Sequence, residues 1–162
     1  MHRRLATIVV LACGCTVAGA QPADRDPFVA VEDADPMELA RAVDRTGDDA
    51  VLARLREDRL REVRLAAIEA APWMRAPELA LEPLLTLARG RDPRLAPAAA
   101  QAALAIANGL SADELARREA ELDALTSARR LASSLAGDES ARADLRAAAA
   151  TVAARLDQLG VR

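Results

Sequence analysis

The chain has 162 residues, of which 52% are hydrophobic and 1% aromatic, and its formal net charge is −3. All 22 basic residues are Arg, and Ala occupies 41 positions, so residues that favour β-strands are scarce. Because Ala, Leu, Arg and Glu favour helices, this composition excludes an all-β or parallel-sheet fold and predicts one all-α domain with a modest core.

Residues 1–20 have the pattern of a secretory signal peptide. Two arginines, Arg3 and Arg4, precede an apolar run over 5–12, and small residues continue to Ala20. The run is shorter than the roughly 20 apolar residues that a membrane-spanning helix needs. A buried N-terminal helix is the alternative, but a core helix needs neither the basic start nor the small-residue end. We therefore expect export, either to the periplasm or out of the cell.

Two processing routes fit this segment. Ala18 and Ala20, followed by Gln21, match the A-x-A rule for cleavage by the general signal peptidase. The run Leu-Ala-Cys-Gly-Cys resembles instead a bacterial lipobox, in which Cys15 becomes the lipidated N-terminus. We favour release after Ala20 and expect membrane attachment only if Cys15 is lipidated. Both cysteines of the chain, Cys13 and Cys15, lie here, so a disulfide in the remaining domain is excluded.

Residues 21–35 predict an extended acidic linker, because they contain two Pro, five acids and no helical periodicity. The alternative is a Ca²⁺ site, since carboxylates are hard oxygen ligands. The spacing of an EF-hand loop is absent, however, so we predict no metal. The five acids are Asp24, Asp26, Glu32, Asp33 and Asp35.

The first three helices are predicted from caps and breakers. Asp35 and Pro36 suit the N-cap and first position of a helix that ends before Gly47. Asp48 or Asp49 is expected to cap a second helix, and a third runs from near Leu60 to Pro72. Their apolar positions are Val51, Leu52 and Leu55 in the second helix and Leu60, Val63, Ala67 and Ala70 in the third.

Proline leaves the starts of the next two helices open. The fourth has its apolar pattern over 81–88 and either begins at Pro83 or bends there. The fifth begins after Asp92 or at Pro97 and reaches Ala107.

The last third of the chain predicts two longer helices. Residues 111–114 form a capping box, and the helix after it extends to Gly137 with a break expected at 126–127. The final helix, capped by Asp138 or Ser140 and closed by Gly160, carries a strong amphipathic pattern. Its stripe is Leu145, Ala149, Val152, Leu156 and Leu159.

Apolar positions recur at an interval of 32 residues. Leu52 and Leu55 return as Leu84 and Leu87. A helical pair that repeats every 30 to 45 residues or so is typical of an α-solenoid. The second helix repeats likewise: Val63, Ala66, Ala67 and Ala70 map onto Leu95, Ala98, Ala99 and Ala102.

The stretch 58–67 (DRLREVRLAA) resembles the HEAT-repeat family, whose second helix carries Val-Arg and then paired Ala after an Asp. Val63 and Arg64 occupy the Val-Arg positions, and Leu145 with Arg146 recovers the same form near the C-terminus. Pro83 and the turn at 92–95 are also similar to the family pattern. The resemblance implies a short α-solenoid of about three antiparallel helical hairpins.

The resemblance covers roughly 48–160, most clearly 48–108, with an insertion or irregular repeat around 108–125. Together with the helix that starts at Pro36, it predicts a helical-repeat domain over 36–162. In HEAT proteins the Asp and Arg form a polar ladder between repeats, which implies that role for Asp58 and Arg64. The alternative is that Arg64 is a solvated helix charge. The Arg64 position becomes Ala96 in the next repeat.

The residue types restrict catalysis. The only His is His2, so without the signal peptide the chain has no His, Cys, Lys or Tyr. This excludes His acid–base chemistry, Cys nucleophiles, Schiff-base lysines and common zinc sites. We expect no enzyme activity and no cofactor. A carboxylate-dependent hydrolase is the remaining catalytic alternative.

Binding to nucleic acid is not expected either. The densest group of arginines, at 54–64, is interleaved with Glu57, Asp58 and Glu62, and the whole chain is acidic.

Protein interaction is the class of function that remains. Trp73 stands out in a chain poor in aromatics, and it is either a binding hot spot or an apolar filler between hairpins. We expect a monomeric, non-catalytic module that binds or scaffolds an envelope protein not identified by the sequence. The alternative is a lipid-anchored structural spacer.

Overall fold

The computed structural model describes residues 36–57, 60–117 and 121–161. Within these ranges the chain forms α-helices and short 3-10 helices without a strand, which confirms the all-α prediction. The predicted signal peptide and linker lie outside them. No helix in the described ranges is long and apolar enough to cross a membrane. The helices are α1 (Pro36–Thr46), α2 (Asp48–Glu57), α3 (Arg61–Ala70), α4 (Leu81–Ala88), α5 (Leu95–Gly109), α6 (Ala112–Arg117), α7 (Leu122–Gly137) and α8 (Ala143–Gln158), and the 3-10 helices are Ala71–Trp73 and Pro77–Ala80.

Two glycines end helices as predicted, because each takes a left-handed backbone conformation. Gly47 has a φ of 81°, and its N–H donates to Val43 O at 2.7 Å, which closes α1. Gly160 has a φ of 79° and follows α8. The N–H of Val161 then donates to Leu156 O at 3.1 Å, as in a Schellman motif.

The structure gives the first residues of α4 and α5, which the sequence left open. Helix α4 begins at Leu81 and holds Pro83 in its first turn, where a missing N–H breaks no helical bond. Helix α5 begins at Leu95, between the two predicted starts. One carboxylate oxygen of Asp92 accepts the N–H groups of Arg94 and Leu95, so this Asp organises the turn before the helix.

The predicted helix from the capping box to Gly137 differs from the structure in two respects. The capping box itself is present, since the N–H of Glu114 donates to Ser111 Oγ at 3.2 Å. However, α6 ends at Arg117 and α7 begins at Leu122, whereas α7 continues through 126–127 without the expected break. Burial of the α7 face against the core outweighs the weak local competition of Thr and Ser for backbone bonds.

The helices pack in consecutive pairs that form two rows. Helix α2 contacts α3, α4 contacts α5, and α7 contacts α8. In the first row α4 contacts both α2 and α7, and in the second α5 contacts both α3 and α8. Helix α1 packs on α2 and α3. Helix α6 buries only Leu115 among its residues.

One hydrophobic cluster runs through all the pairs. Its bulk comes mainly from Leu, as expected from a sequence with so few aromatics. Six of the buried residues of α5 are Ala, which allows its neighbours to approach closely. The large side chains that are fully buried are Leu55, Ile68, Leu81, Leu84, Leu85, Leu125, Leu145, Leu156, Val43, Val51 and Val152.

Candidate functional site

The processing residues predicted from the sequence lie outside the described ranges, and so does Asp58. These are Cys15, Ala18, Ala20, Gln21 and Asp58.

The remaining motif residues fall on two separate helices. Val63 in α3 and Leu145 in α8 are buried at 3% and 2% exposure, as core positions of repeat helices would be. Arg64 and Arg146 are half-buried. Helix α5 contacts both α3 and α8, so the two motifs lie on the flanking members of one row.

A polar edge is formed where three turns meet, and we call it the Asp92 edge. Its residues are Arg61, Gly90, Asp92 and Arg142. Arg61 Nε donates to Asp92 Oδ2 at 2.9 Å, and Arg142 Nη1 donates to Gly90 O at 3.3 Å. The edge thus links the α2–α3, α4–α5 and α7–α8 turns through pairs other than the implied Asp58–Arg64 ladder.

Hydrogen bonds to the carboxylates lower aspartate pKa values along this edge. The N–H groups of Leu95 and Arg94, together with the Arg61 guanidinium, lower the pKa of Asp92. The Arg142 guanidinium, followed by the N–H of Leu145, lowers the pKa of Asp144. Folding therefore favours the charged carboxylates of Asp92 and Asp144.

The second edge contains the segment after α3, and we call it the Trp73 edge (residues 71–80 with Leu110). Asp48 holds this segment by accepting the N–H groups of Arg75 at 3.1 Å and of Ala76 at 2.9 Å. Asp48 had been expected to cap α2, but it lies inside that helix and bonds residues 27 and 28 positions away. Helix α5 separates the two edges by about 20 Å.

Trp73 is exposed on this edge, and its neighbour Met74 fills the core. Trp73 is 46% exposed, whereas Met74 is 5% exposed. The interpretation of Trp73 as the filler between hairpins is therefore wrong, and Met74 takes that place. Trp73 is the last residue of the 3-10 helix Ala71–Trp73 and Met74 is the residue that follows it, so the backbone changes direction between the two side chains.

A groove of about 470 Å³ is lined by the residues on either side of Trp73 in the chain, and we call it groove 1. Its walls come from the segment after α3, the end of α5 and α6. Arg75, Glu114 and Arg117 bring charges to an otherwise apolar lining. The remaining lining residues are Pro72, Met74, Pro77, Ala105, Ile106, Gly109 and Leu110.

Two further grooves differ in chemistry. Groove 2, of about 520 Å³, lies between α2, α3 and α4 and carries Arg56, Arg64 and Glu82. Groove 3, of about 300 Å³, lies between α6, α7 and the end of α8. The lining residues that the structure describes are uncharged: Ala112, Leu115, Ala116, Leu122, Leu125, Leu159, Gly160 and Val161.

The described ranges hold no group of three or more His, Cys, Asp or Glu residues arranged to bind a metal ion. Among these residues Glu78, at 2% exposure, is the buried polar or charged side chain. Sequence reasoning missed both Glu78 and the long-range role of Asp48. Glu78 directly precedes the apolar run Leu-Ala-Leu of 79–81, and that position was its only signal.

Comparison of the chain with protein-family models, curated proteins and solved structures finds no match.

Proposed function

We propose that the chain is an exported, non-catalytic helical-repeat protein that binds or scaffolds another protein of the cell envelope. Its architecture in this proposal is a short HEAT-like α-solenoid of three helical hairpins, α2–α3, α4–α5 and α7–α8. Helix α1 covers one end, and α6 is the irregular insertion expected around 108–125.

The two-row packing supports the solenoid. In such an array each hairpin contacts its neighbours, so first helices stack on first helices and second on second. The contacts of α4 with α2 and α7, and of α5 with α3 and α8, follow that rule. Four of the six paired positions 32 residues apart are buried in both members, among them Leu52 with Leu84 and Ala67 with Ala99, whereas Leu87 and Ala98 are only half-buried.

The observation that carries the binding role is Trp73. A large aromatic side chain at 46% exposure lies between two residues of groove 1, Pro72 and Met74. Its segment is held in place by the bonds from Asp48. Trp is enriched among the residues that dominate protein interfaces, and a fixed backbone lowers the entropic cost of binding.

Photocross-linking tests this role. A benzophenone amino acid is placed at position 73 and, as a matched control, at position 122, where Leu122 is 67% exposed. The protein is then irradiated in the cells that export it. We expect an adduct with one envelope protein from position 73 and none from position 122. No adduct, or the same adducts from both positions, would contradict the proposed surface, and substrate turnover by the purified protein would contradict the non-catalytic role.

Intact mass tests the route of export. Cleavage before Gln21 predicts a free protein, which is the route that we favour. A diacylglycerol adduct on Cys15 would instead support the alternative of a lipid-anchored spacer. A chain that keeps residues 1–20 would contradict both.

A further inference from the structure

We propose that groove 2 binds an acidic segment of the partner protein, with Arg56 and Arg64 holding a carboxylate of that segment. This inference deepens the proposed function and rests on it. It names the chemistry of the partner at a surface separate from Trp73.

The walls of groove 2 place two positive charges beside an apolar floor. Arg56 comes from the end of α2 and Arg64 from α3, whereas Leu55 and Pro83 are buried beneath. Leu87 is half-buried and completes the apolar part. Such a groove suits an extended peptide with an acidic side chain next to an aliphatic one, because both kinds of contact are offered together.

The arginines of this groove differ from those of the Asp92 edge. Arg61 and Arg142 donate to Asp92 and Asp144. Arg64 instead has a buried Nε that makes no hydrogen bond with another residue of the described ranges. Neither Arg56 nor Arg64 forms an ion pair with another residue of the described ranges. The Arg64 side chain lines the groove, so its guanidinium is the donor offered to a carboxylate there, and such a charge-assisted hydrogen bond is stronger than a neutral one.

A peptide fits these observations better than an anionic membrane. The site is a concave groove of about 520 Å³, whereas a membrane offers a broad surface.

Peptide binding to the full chain is the test. The probe is the peptide Gly-Glu-Leu-Glu-Leu-Gly-amide with fluorescein on its N-terminal amine, and its counterpart has Gln for both Glu. Anisotropy should show saturable binding of the acidic peptide and none of the Gln peptide. Arg64→Gln should weaken binding about tenfold, the loss expected for one charge-assisted hydrogen bond. Arg130→Gln, an exposed α7 residue outside groove 2, is the control and should change it less than about twofold.

A second variant should bind the acidic peptide more tightly, a result that misfolding cannot explain. Glu82 is exposed and shares the groove with both arginines. Glu82→Gln removes its repulsion of the peptide carboxylates, so we expect binding of the acidic peptide to become several-fold tighter. Equal binding of the two peptides, an equal loss in Arg64→Gln and Arg130→Gln, or no change in Glu82→Gln would overturn the inference. Vesicles of phosphatidylglycerol that bind in place of the peptide would also overturn it.

The chain's own acidic segment is the competing occupant. A variant with Asn or Gln at the five acids of 21–35 should bind the probe as the unchanged chain does. If the probe binds only to that variant, the groove belongs to this segment and the inference is wrong. Peptide binding without any adduct at position 73 would refute the proposed function alone, whereas an adduct without peptide binding would refute this inference alone.

Discussion

Asp92 accepts three donors, the guanidinium of Arg61 and the N–H groups of Arg94 and Leu95. Folding lowers its pKa below the ordinary aspartate value of 3.8. Its stabilisation is therefore fully present above that value and is lost as pH falls through the lower folded pKa. We expect Asp92→Asn to lower the melting temperature at about pH 7 and to lower it by less at about pH 3, because protonation of Asp92 progressively removes this stabilisation. Thermal unfolding followed by circular dichroism measures the difference.

Glu139→Gln is the control for Asp92, because it removes the same charge from an exposed turn residue. Its effect on the melting temperature should be small at both pH values. If Asp92→Asn lowered the melting temperature equally at both, the carboxylate charge would not be the source of the stability.

Trp73 and Met74 form a natural matched pair, since they are adjacent but differ greatly in exposure. We expect Met74→Ala to reduce the free energy of unfolding by about 2–5 kcal/mol, because it leaves a cavity in the core. Trp73→Ala should cost less than about 1 kcal/mol. Urea denaturation measures both, and acrylamide should readily quench Trp73 fluorescence in the unchanged protein. A larger loss for Trp73→Ala would mean that Trp73 supports the core.

The same pair shows why the site was only partly predictable. The sequence marks the segment as unusual, but which neighbour faces the core depends on the 3-10 turn after α3. The role of Asp48 was hidden for a related reason. Its partners, Arg75 and Ala76, lie far along the chain, and a local capping pattern explains an Asp equally well.

Among the helices, Gly47 separates α1 from α2 with a φ of 81°. Gly47→Ala should reduce the free energy of unfolding by about 1–2 kcal/mol, because a Cβ disfavours the left-handed conformation. Gly109→Ala is the matched control, since Gly109 belongs to α5 and has open space where a Cβ would lie. It should be neutral or stabilising by up to about 1 kcal/mol. Equal losses in chemical denaturation would contradict the conformational explanation.

Helix boundaries were predictable where a residue dictates the backbone. Gly47, Gly160 and the capping box at 111–114 all mark observed ends. The start of α7 at Leu122 was missed, because Glu121, whose backbone is extended, is neither Gly nor Pro and local propensity does not mark it as a helix boundary.

For the whole molecule, the packing predicts an uneven distribution of local stability. Helices α5 and α8 contact each other, and each also packs on a helix of the first row, α5 on α4 and α8 on α7. Helix α6, in contrast, buries a single residue. Amide hydrogen exchange should therefore be slowest in α5 and α8 and fastest in α6 and at the start of α1. Mass spectrometry of exchanged peptides measures this order. Equal protection of α6 and α5 would mean that the chain opens only as one unit.

The long-range polar contacts close loops of similar entropic cost. Asp48 to Arg75 spans 27 residues, Arg129 to Asp157 spans 28, and Arg61 to Asp92 spans 31. The contact from Gly90 to Arg142 spans 52. Because the entropic cost of loop closure grows only slowly with loop length, a loop of 52 residues costs only about 0.6 kcal/mol more to close than one of 27. These contacts can therefore form in any order during folding without a large difference in loop entropy.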